Sequence, residues 1–331
     1  AWSRRKYNLI EKYFQPFGAK VGSFGKDVYI VDCFAGAGQF SDGTSGSPLI
    51  TARLSDTCAG WSRPVTLRVI NIEANDENYA VLNRVTQPWV ARGVVKNLRG
   101  NFGDYIDDIV KGVGDSPALF YIDPYGPTSI PFNYLAPIVK RKALTEVTIN
   151  FDHDGLRRLA DTVFSDQSTS RGQKTASTNK SLVTNILGSD KWFAQYDPSL
   201  STAQREDILL REYIALLTSF GFTVVGYAIK DLFTSPAKYY LIYCTRHPSG
   251  LRLMNTFFCQ EDDRIIEDTV TNRGTQYTLF DVPAEESASR QNLLQPLLQQ
   301  YLARCNKQTI TRGEIIDGFI LQPQALKAAT R

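Results

Sequence analysis

The sequence predicts an α/β fold, a mostly parallel sheet with helices on both faces and an antiparallel last strand. Three observations predict it. Apolar runs of strand length alternate with helix-length segments between residues 27 and 151, the rhythm of βαβ units in a sheet buried on both sides. The first apolar run halts in a small-residue turn, Ala35-Gly36-Ala37-Gly38. Later, two further strand-like runs are joined by a connection too short for a parallel crossover, so that pair is antiparallel.

The elements follow in order. Lys6 to Phe14 carries apolar residues at helical spacing, and Pro16 and Gly18 are expected to end that helix. Asp27 to Asp32 is a strand. Ser47 is read as an N-cap, with Pro48 at the first position of a helix through Leu54. Val65 to Glu73, Val94 to Leu98, Ala118 to Ile122 and Val147 to Phe151 are strands. Asp76 to Val85, Tyr105 to Val110 and Asn133 to Val139 lie on the helices between them.

Beyond Phe151 the alternation stops. Ser165 to Lys180 holds almost nothing that packs and is expected to be a flexible loop, or a segment that orders on binding. A long amphipathic helix runs from about Ala203 to Phe220, before the antiparallel pair Phe222 to Ala228 and Tyr239 to Cys244. Gln291 to Tyr301, Glu314 to Ile320 and Gln324 to Ala329 read as short helices of a winged-helix-like module. The expected division is a sheet domain over 1–260, with an insertion at about 152–200, and a linker plus helical module over 261–331.

Composition bounds the function. With 37 Lys and Arg against 34 Asp and Glu, the net charge of +3 merely permits a polyanionic partner. A 43% hydrophobic, 11% aromatic chain is not wholly disordered. No apolar run approaches the ~18–20 residues of a membrane span. No basic-then-apolar leader is read, although a start at Ala1 leaves room for one upstream. Cys33, Cys58, Cys244, Cys259 and Cys305 form neither a C-x-x-C pair nor a disulfide framework, and two histidines do not assemble a structural zinc site. The expectation is a reduced, cytoplasmic protein with buried thiols.

Five places could carry chemistry. In Val31-Asp32-Cys33-Phe34-Ala35-Gly36-Ala37-Gly38 a strand ends, an acid appears and small residues let backbone approach a ligand. This D-x-F-A-G-x-G is not the G-x-G-x-x-G of a dinucleotide fold. It resembles the first motif of S-adenosylmethionine-dependent methyltransferases acting on nucleic acids, in which the glycine turn takes the methionine portion and the acid supports its ammonium. Glu73, ending the second strand, is placed to chelate two ribose hydroxyls, or else to serve as an ordinary acid near a helix start. Gly100-Asn101-Phe102 follows the third strand. There Asn101 would meet an adenine edge and Phe102 its face, unless the segment is a plain turn.

Ile122-Asp123-Pro124-Tyr125-Gly126-Pro127 follows the fourth strand. It is similar to the D-P-P-[YF] motif of exocyclic-amine methyltransferases, and closer to the D-P-F-G of tRNA dimethylguanosine enzymes. An exocyclic amine has its lone pair delocalised into the ring, so the site must accept its N–H bonds and hold the nitrogen in line with the methyl donor. Asp123 and the Pro124 carbonyl supply acceptors, and Tyr125 a face for the base. Fifth, Asp152-His153-Asp154 closes the fifth strand. His153 between two acids is expected to favour its cation; phosphate binding and helix capping are equal readings, and Asp152 and Asp154 are alternative bases.

Arg4-Arg5-Lys6, Lys140-Arg141-Lys142, Arg157-Arg158, Arg171, Lys174 and Lys180 read by default as solvated faces, but around a cleft they would form a phosphate track. Arg246 with His247 would likewise meet a phosphate.

Taken together the chain resembles the three-Cys-motif partner protein (TcmP) family. The resemblance rests on K-x2-L-I-E-K-Y-F, Y-I-V-D-C-F-A-G-A-G, G-S-P-L, D-P-Y-G, N-F-D-H-D-G-L and Y-Y-L-I-Y-C-T-R-H-P-S-G-L-R-L-M. It implies a Rossmann-like class I methyltransferase sheet, S-adenosylmethionine as cofactor, phage or mobile-element settings, and a separate companion bearing three cysteines. It carries cofactor roles to Asp32, Phe34, Gly36 and Gly38, and the acceptor turn to Asp123 through Gly126. The second proline of D-P-P-Y is absent. The leading expectation is methylation of a base in DNA or RNA. A non-catalytic module that docks the companion or a nucleic acid, and an enzyme of base hypermodification using another ligand in the same cleft, stand as alternatives.

Overall fold

Val28 to Asp32 form the first of seven strands in one sheet, and the chain winds outward to either side of it. A computed structural model describes residues 2–165, 168–231 and 235–272. In chain order the elements are α1 (Trp2–Gly22), β1 (Val28–Asp32), α2 (Ser47–Ala59), β2 (Leu67–Glu73), α3 (Asp76–Ala91), β3 (Val95–Arg99) and α4 (Phe102–Val113). Then come β4 (Ala118–Ile122), a 3-10 turn (Pro127–Ser129), α5 (Phe132–Val139), β5 (Thr145–Phe151), α6 (His153–Val163), α7 (Ser170–Leu187) and α8 (Lys191–Gln195). The last are α9 (Thr202–Thr218), β6 (Thr223–Ile229), β7 (Tyr239–Thr245) and α10 (Pro248–Asn272).

The strand order is β3-β2-β1-β4-β5-β7-β6. β1 pairs in parallel with β2 and β4, as do β2 with β3 and β4 with β5. β7 runs antiparallel to both β5 and β6. The α/β class and the antiparallel last strand are as expected, with the refinement that β6 points the same way as β1 to β5. Winding reverses between β1 and β4. The carboxyl ends on either side of that switch, Asp32 and Glu73 on one side and Asp123 on the other, therefore flank the crevice where open α/β sheets bind ligands.

Alternation along β4 divides the core into two layers. Ala118, Phe120 and Ile122 pack with Val31, Ile149 and Phe151 under α4 to α7 and α9. Leu119 and Tyr121 face the other way, onto Tyr13, Phe14 and Phe17 of α1 and Leu251, Met254 and Phe258 of α10.

Several boundaries move. α1 continues through Pro16 to Gly22 because Tyr13, Phe14, Phe17 and Val21 keep one buried stripe across the proline. Its packing outweighs the roughly 3 kcal/mol a helix-interior proline costs. α3 likewise passes Pro88, its far end pinned where Trp89 Nε1 and Arg92 Nη2 donate to the Asp56 carboxylate at 2.8 and 2.7 Å. Gly46, not Ser47, is the N-cap of α2, and Ser47 is buried as the first helical residue.

The largest correction concerns Ser165 to Lys180. From Ser170 this polar stretch is the first half of α7. Thr169 caps it by accepting the Gly172 N–H at 3.0 Å, and Ala176, Val183, Ile186 and Leu187 form its buried stripe. α10 runs unbroken from Pro248 to Asn272 across residue 260. The three short helices expected beyond Gln291 lie outside the described residues.

Cys33, Cys58 and Cys244 are buried free thiols, and Cys259 is half-buried. Burial raises the first three thiols above their ordinary range, which makes them inert. No helix among the described residues is long and apolar enough to cross a membrane.

Candidate functional site

The turn after β1 is built to hold backbone open. Asp32 is 1% exposed, and its Oδ1 accepts the Phe34 N–H at 3.3 Å. Ala35 N donates to Ile72 O at 2.9 Å, which ties the turn to β2. Gly36 and Gly38 take φ of +63° and +78°, the left-handed region that favours glycine. Gly46 N closes the loop onto Gly38 O at 2.9 Å.

Glu73 stands beside this turn, 3% exposed. Its Oε2 accepts the Gly36 N–H and its Oε1 the Asn75 N–H, both at 2.7 Å. Each oxygen spends one lone-pair site on backbone and keeps acceptor capacity besides.

Across the switch point, Asp123 is oriented from two sides. Tyr121 OH donates to Oδ2 at 3.2 Å and Asn150 Nδ2 donates to Oδ1 at 2.8 Å. Tyr121 and Asn150 escaped the sequence reading, although Tyr121 precedes Asp123 by two residues and Asn150 opens N-F-D-H-D. Tyr125 is 83% exposed. Desolvation of its hydroxyl raises its pKa, the Glu73 and Asp123 carboxylates add to the rise, and a hydrogen bond with Asn78 opposes it.

Other candidates fall elsewhere. Phe102 is 2% exposed, its ring 5.7 Å from Phe34 and 6.1 Å from Tyr134, so it supports the crevice from within the core and offers no open face to adenine. Asn101 caps α4, where the Asp104 carboxylate takes its N–H at 3.0 Å and its side-chain amide at 3.2 Å. Asp152 caps α6 by accepting the Gly155 N–H at 2.8 Å.

His153 is buried, with Nε2 3.4 Å from Glu206 Oε2 and its ring edge-on to Tyr240. Burial lowers its pKa, outweighing Glu206, Asp152 and Asp154, and Arg157 lowers it further. The expectation of a favoured cation is therefore corrected, because desolvation wins.

Several of the described basic residues are committed away from the crevice. Arg157 is occupied by Asp154, Asp161 and Glu206 at 2.5, 2.6 and 3.2 Å, and Lys180 Nζ lies 3.5 Å over the Phe193 ring. Lys140, Arg141 and Lys142 precede β5, at the edge of the sheet opposite the crevice.

The residues present fit S-adenosylmethionine as the notional ligand of such a crevice. A Cβ on Gly36 would meet nothing within 4 Å, so the turn leaves open space, and the buried Glu73 carboxylate stands beside it with acceptor capacity left.

No family model matches the chain, and no curated protein does. Among solved structures, it is similar to an O-methyltransferase from Bacillus cereus in complex with SAH, at 12% identity and a TM-score of 0.35, covering 70% of this chain and 79% of that one. It is also similar to fibrillarin from Aeropyrum pernix with natively bound S-adenosyl-L-methionine, at 12% identity and a TM-score of 0.33, covering 66% of each chain. The fibrillarin pre-rRNA processing protein of Methanococcus jannaschii gives the same identity, TM-score and coverage. Likeness at this level adds nothing to what the strand order itself defines: an α/β protein with a crevice at the carboxyl edge of a mostly parallel sheet.

Proposed function

We propose that this chain is an S-adenosylmethionine-dependent methyltransferase acting on a nucleic-acid base, with an exocyclic amine as the favoured acceptor. The observation that carries the reading is the facing of two turns across the switch point, one tied to Glu73 and the other presenting an Asp123 carboxylate held by Tyr121 and Asn150. When bound, the cofactor would supply an electrophilic methyl carbon on a sulfonium, with a neutral thioether as its leaving group. Glu73 accepts two hydroxyls, and the Asp32 to Gly38 turn receives the amino-acid end. Asp123 accepts an N–H of the amine and takes the proton that the nitrogen sheds as its bond to carbon forms. The Pro124 carbonyl is a second acceptor. Tyr125, exposed on the rim, gives the base a stacking face.

The resemblance to the TcmP family extends this reading to a separate three-cysteine companion protein. Titration calorimetry with S-adenosylmethionine and its demethylated product tests the first step, and binding is expected to both. Transfer of a labelled methyl group to DNA and RNA, read by mass spectrometry of nucleosides, tests the second. Asp123→Ala is expected to lower turnover by about 10²-fold or more with cofactor affinity unchanged. A protein that binds neither cofactor form overturns the reading in favour of a binding module.

A further inference from the structure

Two basic signals far apart in sequence meet at the opposite edge of the sheet. Lys140, Arg141 and Lys142 lie between α5 and β5, and Arg246 follows the last residue of β7. Because β7 is antiparallel to β5, with Cys244 opposite Val147, the end of one strand meets the start of the other. These four cations, with Val139, Ser219 and Phe220, line a groove of about 540 Å³ that has no carboxylate in its wall. β5 separates it from the crevice by six steps, roughly 20 Å at ~3.3 Å per residue.

The guanidiniums are fixed without being neutralised. Arg246 donates to the carbonyls of Val139, Arg141 and Phe220 at 2.6, 3.1 and 3.2 Å and lies 3.8 Å over the Phe222 ring. Arg141 is 6% exposed, and donates to Thr145 Oγ1, Gly114 O and Ser116 O while its buried Nε has no acceptor. Burial lowers the pKa of both groups, and the charge of Arg246 lowers Arg141 further, with Asp115 pulling the other way. Lys140 and Lys142 are exposed on the rim. Among the described residues none of the four makes an ion pair. Carbonyl oxygens and an aromatic face hold such cations in place but leave their charge for an anion to meet.

We propose that this groove is a second ligand site that binds phosphate groups through Lys140, Arg141, Lys142 and Arg246. Its ligand is an oligophosphate, either free or as the backbone of a nucleic acid, and the site stands whether or not the crevice transfers a methyl group. The two exposed ammonium groups meet phosphate oxygens directly, while the guanidiniums, their N–H groups largely spent on carbonyls, add unneutralised positive charge behind them.

The test uses the full chain with two probes, pyrophosphate by calorimetry and a labelled single-stranded oligonucleotide by fluorescence anisotropy. Lys140→Ala/Lys142→Ala removes exposed charge only. Lys96→Ala/Lys111→Ala makes the same charge change elsewhere on the surface, and thermal melting checks that both variants fold. Oligonucleotide binding at low salt is expected to weaken about 10-fold or more in the first variant, with the slope of log K against log salt reduced by about 1.4 for two lost contacts. The control variant is expected to match the wild type, and cofactor binding to be unchanged in both. Loss with the oligonucleotide assigns the groove to a nucleic-acid backbone, and loss with pyrophosphate alone assigns it to a free oligophosphate. The proposal is overturned if neither probe binds the wild type, or if the two variants behave alike.

Discussion

Gly36 and Gly38 sit in one turn with left-handed φ, yet their surroundings differ. A Cβ on Gly38 would lie 3.0 Å from Val85 Cγ2 and 3.2 Å from Leu82 Cδ1, whereas one on Gly36 would meet nothing within 4 Å. The same substitution therefore separates two roles. Gly36→Ala costs about 1–2 kcal/mol of backbone strain and puts a methyl into the space the proposed cofactor needs, so affinity is expected to fall about 10-fold or more. Gly38→Ala adds overpacking of about 1–3 kcal/mol and is expected to lower the melting temperature further. Calorimetry and melting on both variants check this, and a Gly36→Ala protein with full affinity would remove the turn from the site. His153 teaches a related lesson, since its sequence neighbours are not its controlling partners in space. Asp152 caps a helix and Asp154 pairs with Arg157, so burial decides the direction. A base with a lowered folded pKa takes its proton first in the unfolded chain, so stability is lost as pH falls through the unfolded value of about 6.5. An NMR titration of the imidazole is expected to give a midpoint below 6.5, and one above it would mean that the carboxylates prevail.

At the scale of elements, the strands were legible because burial on both faces demands near-continuous apolar runs. The turns bearing Asp32, Glu73 and Asp123 were legible because they end those runs. α7 was not, because its apolar weight sits late. A window closing at Lys180 contains Ala176 but misses Val183, Ile186 and Leu187, and a cap such as Thr169 looks like one more polar residue. The helix stands by packing on α6, where Asn179 Nδ2 donates to Thr162 Oγ1 at 2.6 Å. Thr169→Ala is accordingly expected to cost about 1 kcal/mol in urea unfolding, and an unchanged midpoint would show that packing alone fixes the start of α7. The basic triplet before β5 lies away from the crevice for a topological reason. Residues preceding a parallel strand and residues following an antiparallel one gather at the same edge, and no local pattern announces which edge that is.

At the scale of the whole molecule, that lower edge is joined by one carboxyl group. Glu146 of β5 is 4% exposed and accepts Tyr13 OH of α1 at 2.5 Å and Thr245 Oγ1 of β7 at 3.3 Å. Tyr243 of β7 shares the Tyr13 hydroxyl at 2.5 Å. Gly250 of α10 passes so close that a Cβ would stand 2.5 Å from Glu146 Oε1. The first helix, two adjacent strands and α10 thus converge on a single titratable side chain. Burial raises its pKa from 4.5 to about 7, while hydrogen bonds from Tyr13, Tyr243 and Thr245 and the charge of Lys20 pull it back. The folded state keeps a proton that the unfolded chain has already released, so this contribution to stability is full below about 4.5 and is lost as pH rises through about 7. At about 1.4 kcal/mol per pH unit, the loss across that window is about 3 kcal/mol. Glu146→Gln preserves shape and an acceptor for Tyr13 but has no proton to lose. Urea unfolding of both proteins from pH 4.5 to 8 is expected to show the wild type losing about 3 kcal/mol relative to the variant, with parallel profiles above that range. Parallel profiles throughout would mean that Glu146 titrates alike folded and unfolded, and that the junction of α1, β5, β7 and α10 holds an ordinary carboxylate.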